Sequence, residues 1–264
     1  MSADIGYVGL ALSGILVAVA VGISLTRRLG LERSMLWASL RALVQLLIVG
    51  AALGLVVDDD DPLVWSWLWV AVMIVFAAWT VNRRAPDARG VTRLALLAFL
   101  ASAAVTLGVL FGLQVFELEG RALVPLAGMM VGNSMSATVL VARRITAEAT
   151  EHRDLIEGRL SLGLPSDQAF APHLRAALAD ALTPQIETTK AVGIVFLPGA
   201  MVGLILAGVD PVDAVKVQAA VMYLVLGSVA TTTTVMALGL SRRLFTKDHR
   251  LRRTHDDEAG QRAR

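Results

Sequence analysis

The N-terminal stretch Met1–Arg28, MSADIGYVGLALSGILVAVAVGISLTRR, decides how the rest of the chain is read. Its uncharged part, Tyr7–Leu25, is long enough as a helix to cross a hydrocarbon layer of about 30 Å. A cleaved leader carries basic residues ahead of its apolar core. Here Asp4 precedes the run, and Arg27 and Arg28 follow it. The reversed charge order predicts a retained span with the N-terminus outside and the two arginines in the cytoplasm.

Comparable runs follow at Met35–Val57, Leu63–Val81, Leu94–Leu113, Ala122–Ala142, Pro184–Gly208 and Ala214–Leu240, giving seven expected spans. The connections alternate in basic charge. Arg33 joins Arg27 and Arg28 in the first, DDDDP has none, and Arg83, Arg84, Arg89 and Arg93 fill the third. QVFELEGR has only Arg121, whereas the long connection after the fifth run carries Arg143, Arg144, Arg153, Arg159, Arg175 and Lys190. GVDP again has none, and the tail is rich in arginine. Because lysine and arginine collect on the cytoplasmic side, the pattern predicts N-out and C-in.

The chain of 264 residues is 56% hydrophobic and 17% charged, with net charge +2 and no cysteine. These values exclude an ordinary soluble domain, and no basic stripe suits nucleic acid. Disulfides, thiolate metal sites and thiol redox chemistry are excluded outright. The expected fold is all-α, a polytopic membrane protein embedded in lipid. Residues 1–244 form its membrane domain, with a cytosolic segment at 143–183, and residues 245–264 form a flexible charged cytosolic tail.

Polar residues inside the runs are the candidates for function, since hydrocarbon penalises them. Arg41 and Gln45 share one helix face; Arg41 either snorkels to the interface or faces a pore or another helix. Gly128, Gly132 and Ser136 form a small-residue stripe beside Asn133, Ser134 and Thr138. That stripe suits internal packing, a dimer seam or a translocation wall. Pro198 and Gly199 predict a kink in the sixth run. Thr231–Thr234 can bond back to their own helix. Met129, Met130, Met135 and Met201 fit gap-filling better than soft-metal ligation, and no metal site is assigned. All four histidines, His152, His173, His249 and His255, fall in the expected cytosolic parts. Asp58–Asp61, Glu117, Glu119, Asp210 and Asp213 make a solvated acidic outer surface.

Between the fifth and sixth runs, Glu148, Glu151, Asp154 and Glu157 recur every three residues and predict a helix that leaves the membrane and stops near Gly158. LSLGLPS then breaks the chain. Ser166 is the expected cap of a new helix, on which Phe170, Leu174, Leu178 and Leu182 form an apolar stripe. Pro172 is expected to divide that helix, and Thr183 with Pro184 to open the sixth span. A short surface helix of this kind either receives force from a soluble partner or rests on lipid headgroups.

Four stretches carry a resemblance: RALVQLLIVG at Arg41–Gly50, AGMMVGNSMSA at Ala127–Ala137, RLSLG at Arg159–Gly163, and KAVGIVFLPGAMVGLILAGVDPVDAVKVQ at Lys190–Gln218. In these the chain resembles the FetB-like permeases of ATP-binding-cassette transporters, associated with bacterial iron export, and their plant relatives linked to aluminium tolerance. The resemblance implies a permease subunit in the plasma (bacterial inner) membrane that exports iron, another metal or a chelate. It implies two partners, a second copy of the permease and a cytosolic ATPase that holds ATP and Mg. It also implies that Glu157, Leu160, Leu162, Gly163 and Gln168 couple to that ATPase, and Phe170, at the head of the stripe, is grouped with them. The chain departs from the family pattern at Leu164–Pro165, where Ala then Thr or Ser is usual, and at Pro172.

No G-x-x-x-x-G-K-[ST] loop surrounds Lys190, Lys216 or Lys247, so this chain is not expected to hydrolyse ATP and carries no cofactor of its own. The main alternative is a standalone transporter or channel driven by an ion gradient. The absence of Asp and Glu from the central runs weighs against it. A scaffold without transport activity is a third possibility, and no constellation for a membrane enzyme is present.

Overall fold

The computed structural model describes residues 7–56, 62–86, 90–246 and 248–252. Among them the regular elements are all helices, joined by turns and accompanied by two isolated bridges. The helices are α1 (Tyr7–Arg27), α2 (Glu32–Val56), α3 (Leu63–Arg84), α4 (Val91–Gly112), α5 (Gly120–Glu151), α6 (Arg153–Ser161), α7 (Ser166–Ala191), α8 (Gly199–Leu206) and α9 (Pro211–Leu244). Six of them, α1 to α5 and α9, are long and apolar enough to cross a membrane. The chain divides into two compact units, Met1–Pro62 and Leu63–Arg264.

The first unit is a hairpin of α1 and α2. Its turn is closed by Ser24, which is fully buried. The Ser24 hydroxyl donates to Glu32 Oε1 at 2.7 Å and accepts from the Leu31 N–H at 3.3 Å. Arg41 and Gln45 are exposed on α2, Arg41 about 14 Å along the helix from its start.

In the second unit, α3, α4, α5 and α9 pack together and α7 lies against α5 and α9. The seams are lined with small residues, including Ala77, Ala78, Ala95, Ala98, Ala127, Ala142 and Ala237, all buried. Lipid is as apolar as leucine, so helices here associate through close packing, which short side chains permit. One close approach is at Gly239 on α9, where an added Cβ would lie 2.5 Å from Leu94 Cδ2 on α4. At about 48 and 51 Å, α5 and α9 exceed a hydrocarbon core of about 30 Å, and their C-terminal ends form the base on which α6 and α7 rest. Asp210 caps α9, its Oδ1 accepting from the Val212 N–H at 2.8 Å with Pro211 at the first helical position.

Several expectations are corrected. The run Pro184–Gly208 is not one helix: its first part completes α7, residues 192–198 are non-helical, and α8 follows. Gly193 takes φ 87° and Pro198 stands as the N-cap of α8. Proline offers no N–H and pushes its predecessor to extended backbone, so the expected kink becomes a full break. Conversely, α7 runs unbroken through Pro172 and Pro184, and Thr183 is interior, its hydroxyl donating to the Ala179 carbonyl at 2.7 Å. A continuous buried face, Ala169, His173, Ala177 and Ala181, holds α7 straight against the bundle despite the two missing donors. The helix expected to run to Gly158 is interrupted at His152, between α5 and α6.

The start of the expected flexible tail is folded. Phe245 and Leu251 pair in an antiparallel bridge and are both buried, and the Thr246 N–H donates to the Arg250 carbonyl at 2.9 Å. Residues 253–264 lie outside the described residues.

Gly239→Ala is expected to destabilise the protein by about 1–3 kcal/mol, because the whole Leu94 side chain must shift. Gly108→Ala, where nothing stands within 4 Å of the new Cβ, is expected to be neutral or to stabilise by up to about 1 kcal/mol. Thermal unfolding of the two variants in detergent checks both.

Candidate functional site

The corner between α6 and α7 presents apolar side chains among charged ones. Leu162 is 82% exposed, with Leu155 and Leu164 also exposed. Beside them stand exposed Glu157, Asp167 and Gln168. The corner turns on Gly163, whose φ of 87° disfavours any residue with a Cβ. Its N–H donates to the Leu160 carbonyl at 2.9 Å, and the Leu164 N–H donates to the Arg159 carbonyl at 3.2 Å. These bonds satisfy the last carbonyls of α6 and set the direction in which Leu162 projects.

The corner is anchored from behind. Arg159 Nη1 donates to the Ala169 carbonyl at 3.0 Å and lies 3.4 Å from His173 Nε2, tying α6 to α7. Leu160 packs on the core. Phe170 is 1% exposed and sits between His173 and Phe245, with ring centroids 5.7 and 6.0 Å away. The tail contributes His249, whose Nδ1 accepts from the Ser166 N–H at 3.3 Å and lies 3.0 Å from the Ser166 hydroxyl. The start of α7 is thus capped by a distant imidazole, whereas the sequence pointed to Ser166 itself. Arg144 and Asp180 form a 2.9 Å ion pair between α5 and α7, half exposed and so of small energetic weight.

Among the residues singled out from the sequence, Glu157, Leu162, Gly163 and Gln168 therefore share an exposed corner. Phe170 and Leu160 lie behind it and offer packing, Phe170 almost completely buried. Glu157 pairs with Arg153 at 2.8 Å.

The α5 stripe is split between two environments. Gly132, Asn133 and Ser136 are exposed, while Gly128 is half-buried with Met73 of α3 just within contact range. Asn133 Nδ2 donates back to the Met129 carbonyl at 2.8 Å. The opposite face of α5 carries Ser134 and Thr138 into the core. There the Ser134 hydroxyl donates to Ser228 Oγ of α9 at 3.1 Å, and Ser102 of α4 donates to the Ser228 carbonyl at 3.3 Å. Ser102 and Ser228 escape sequence reading because single serines in apolar runs give no periodic signal. Thr231, Thr232 and Thr233 bond back to carbonyls of their own helix. Met130 is buried and its sulfur lies 3.3 Å from the Thr106 hydroxyl, whose proton goes to the Ser102 carbonyl at 2.7 Å. Met129 and Met135 pack on the core.

Pro198 and Gly199 stand where α8 begins, past the break, with Ile194 and Val195 at 92% and 76% exposure. Arg41 and Gln45 belong to the other unit and share the exposed face of α2.

Residues 7–245 match an uncharacterised protein family (UPF0014). The UPF0014 membrane protein STAR2 of Oryza sativa subsp. japonica is 36% identical over 221 residues, covering 84% of this chain and 77% of the rice protein. The UPF0014 membrane protein YjkA of Bacillus subtilis (strain 168) is 34% identical over 246 residues, covering 93% of this chain and 98% of its own. The probable iron export permease protein FetB of Escherichia coli (strain K12) is 34% identical over 242 residues, covering 92% and 93%. No solved structure matches the chain.

Phe170→Ala is expected to destabilise the protein by about 3–5 kcal/mol through the cavity it leaves. Leu162→Asp is expected to change stability by no more than about 0.5 kcal/mol, as an exposed site. Unfolding midpoints of the two variants separate the anchor from the exposed corner.

Proposed function

The chain belongs to the UPF0014 family, and on that premise we propose that this multi-pass membrane protein is the permease subunit of an ATP-driven exporter. The observation that carries the reading is the α6–α7 corner. A leucine held at 82% exposure by a left-handed glycine, backed by a fully buried phenylalanine, is built to enter a groove on a soluble partner. The partner is a separate ATPase subunit, because the sequence holds no phosphate-binding loop. Glu157 and Gln168 rim the contact, and Leu162 supplies its apolar centre.

The cargo proposed is a metal ion or its chelate, following the printed name of the E. coli relative. With no cysteine in the chain, and no histidine in the six long apolar windows, cargo contacts fall to oxygen donors such as Asn133, Ser136 and backbone carbonyls. Gly132, Asn133 and Ser136 present polar and small groups on an exposed face, which suits a translocation path or the seam with a second permease copy. The interrupted α7–α8 run supplies the seventh crossing. Non-helical backbone at membrane depth requires cover by protein or water, and two copies enclosing a path provide it. In this reading the N-terminus is outside, the C-terminus is cytoplasmic, and closure of the ATPase pair swings the corner, moving α7 against α5 and α9. A gradient-driven transporter would place carboxylates mid-membrane. Among the described residues, those of the six long apolar helices stand near helix ends, Glu32, Glu148, Glu151 and Asp213, and in the α7–α8 run Glu187 is paired with Lys190 at 2.8 Å.

Coexpression with candidate ATP-binding-cassette ATPase subunits from the same genome tests the assignment: one of them is expected to co-purify with the permease. Leu162→Asp is expected to weaken the association by roughly tenfold or more, the loss of one buried leucine. Gly163→Val is expected to uncouple ATP turnover from transport. Co-purification unchanged by Leu162→Asp, or cargo movement by the permease alone, overturns the reading. Topology is checked separately. Since the chain lacks cysteine, Gln168→Cys is expected to react with an impermeant thiol reagent only from the cytoplasmic side, and Glu117→Cys only from outside.

A further inference from the structure

Glu148 in the last turn of α5, His152 at the α5–α6 junction and His173 on α7 bring their ligating atoms within 4.8 Å of one another. His173 is 6% exposed, and its Nδ1 lies 2.8 Å from Glu148 Oε2. Arg159 Nη1 stands 3.4 Å from His173 Nε2. A guanidinium only donates, so Nε2 accepts and the ring proton sits on Nδ1, directed at the carboxylate. His152 Nε2 lies 3.8 Å from the same carboxylate oxygen. That separation is too long for a hydrogen bond. Two ligands of one tetrahedral ion, at about 2.0–2.1 Å each, stand about 3.3 Å apart. The observed 2.8 and 3.8 Å spans bracket this value, and rotation of the half-exposed His152 ring closes the third.

We propose that Glu148, His152 and His173 form a binding site for a divalent first-row transition cation of the zinc or cobalt type. Two imidazoles and one carboxylate select this class over magnesium or calcium, which take oxygen alone. The half-exposed side of the cluster leaves the fourth position to water. On binding, the ion takes the place of the proton on His173 Nδ1, and that proton passes to Nε2. Arg159 withdraws from Nε2 and keeps the Ala169 carbonyl, its 3.0 Å acceptor. The ion joins α5, the α5–α6 junction and α7 at three points. It thereby stiffens the segment from which the Leu162 corner projects. The site does not depend on the transport reading, since binding needs neither nucleotide nor ATPase.

The test is a Co2+ titration of the full chain, purified in detergent without a histidine tag and followed by the visible absorption of nitrogen-ligated cobalt. Wild type is expected to give a one-to-one complex of low coordination number. His152→Gln, half exposed and tolerated by the fold, is expected to weaken binding about 100-fold, and His255→Gln in the tail to leave it unchanged. Arg159→Gln is expected to tighten binding about tenfold, because the amide oxygen accepts from Nε2–H and the opposing charge is gone. An oxygen-only octahedral spectrum for wild type, equal affinity in His152→Gln, or loss of binding in His255→Gln overturns the proposal. Zn2+ competition against bound Co2+ provides the second measurement: displacement at one equivalent supports the site, and failure to displace overturns it.

Discussion

Hydrocarbon offers a polypeptide no hydrogen-bond partner, and that constraint organises this molecule. Every peptide group at membrane depth must be satisfied within its helix or by a neighbour, so the described spans are continuous helices and many of their hydroxyl groups turn into the core. Thr106, Thr138 and Thr233 each donate to the carbonyl four residues back. Ser134 and Ser102 reach across to Ser228 and stitch α4, α5 and α9 together. Close packing does the rest, with alanine and glycine at the seams where larger side chains would hold the backbones apart.

The same constraint gives meaning to the one run that breaks it. Residues 192–198 lie outside the helices in a stretch as apolar as any span, and the Val195 N–H to Ala191 carbonyl and Gly193 N–H to Phe196 carbonyl bonds, both 3.0 Å, do not restore a continuous helical ladder there. Lipid does not tolerate this, whereas a protein seam or a watered path does. The exposed Asn133 and Ser136 on α5 carry the same requirement. In the proposed function a second copy of the chain would answer both, with two permeases paired around the cargo path.

Where the chain leaves the apolar layer its logic changes. The long helices α5 and α9 project as rigid stems, and the α6–α7 segment is bound to them by buried contacts: Phe170 against Phe245, His173 against Glu148, and His249 on the first turn of α7. These contacts bind the segment to the bundle as a packed body. The exposed Leu162 is thus tied to α7, and in the proposed coupling, motion imposed at the corner would pass to the helix that packs on both stems. A metal ion held by Glu148, His152 and His173 would add a further tie at the same joint.

Apolar run length and glycine position are properties of the chain itself, so the all-helical class, six of the spans and the break at Leu162 and Gly163 are legible in the residues alone, whereas the Asp210–Pro211 start of α9 reads only as a turn. Other features depend on what stands opposite. Pro172 and Pro184 read as breaks, yet the buried face of α7 outweighs two lost donors. Phe170 reads as part of a docking stripe, yet packing turns it inward and brings Ala169, His173, Ala177 and Ala181 to the bundle. The meeting of Glu148, His152 and His173, and of Ser166 with His249, joins residues far apart in the chain, and no local pattern encodes such a distance. Sequence determines which segments hydrocarbon will accept; only tertiary packing decides which face of each helix is buried, because that depends on the volume and hydrogen bonds of its neighbours.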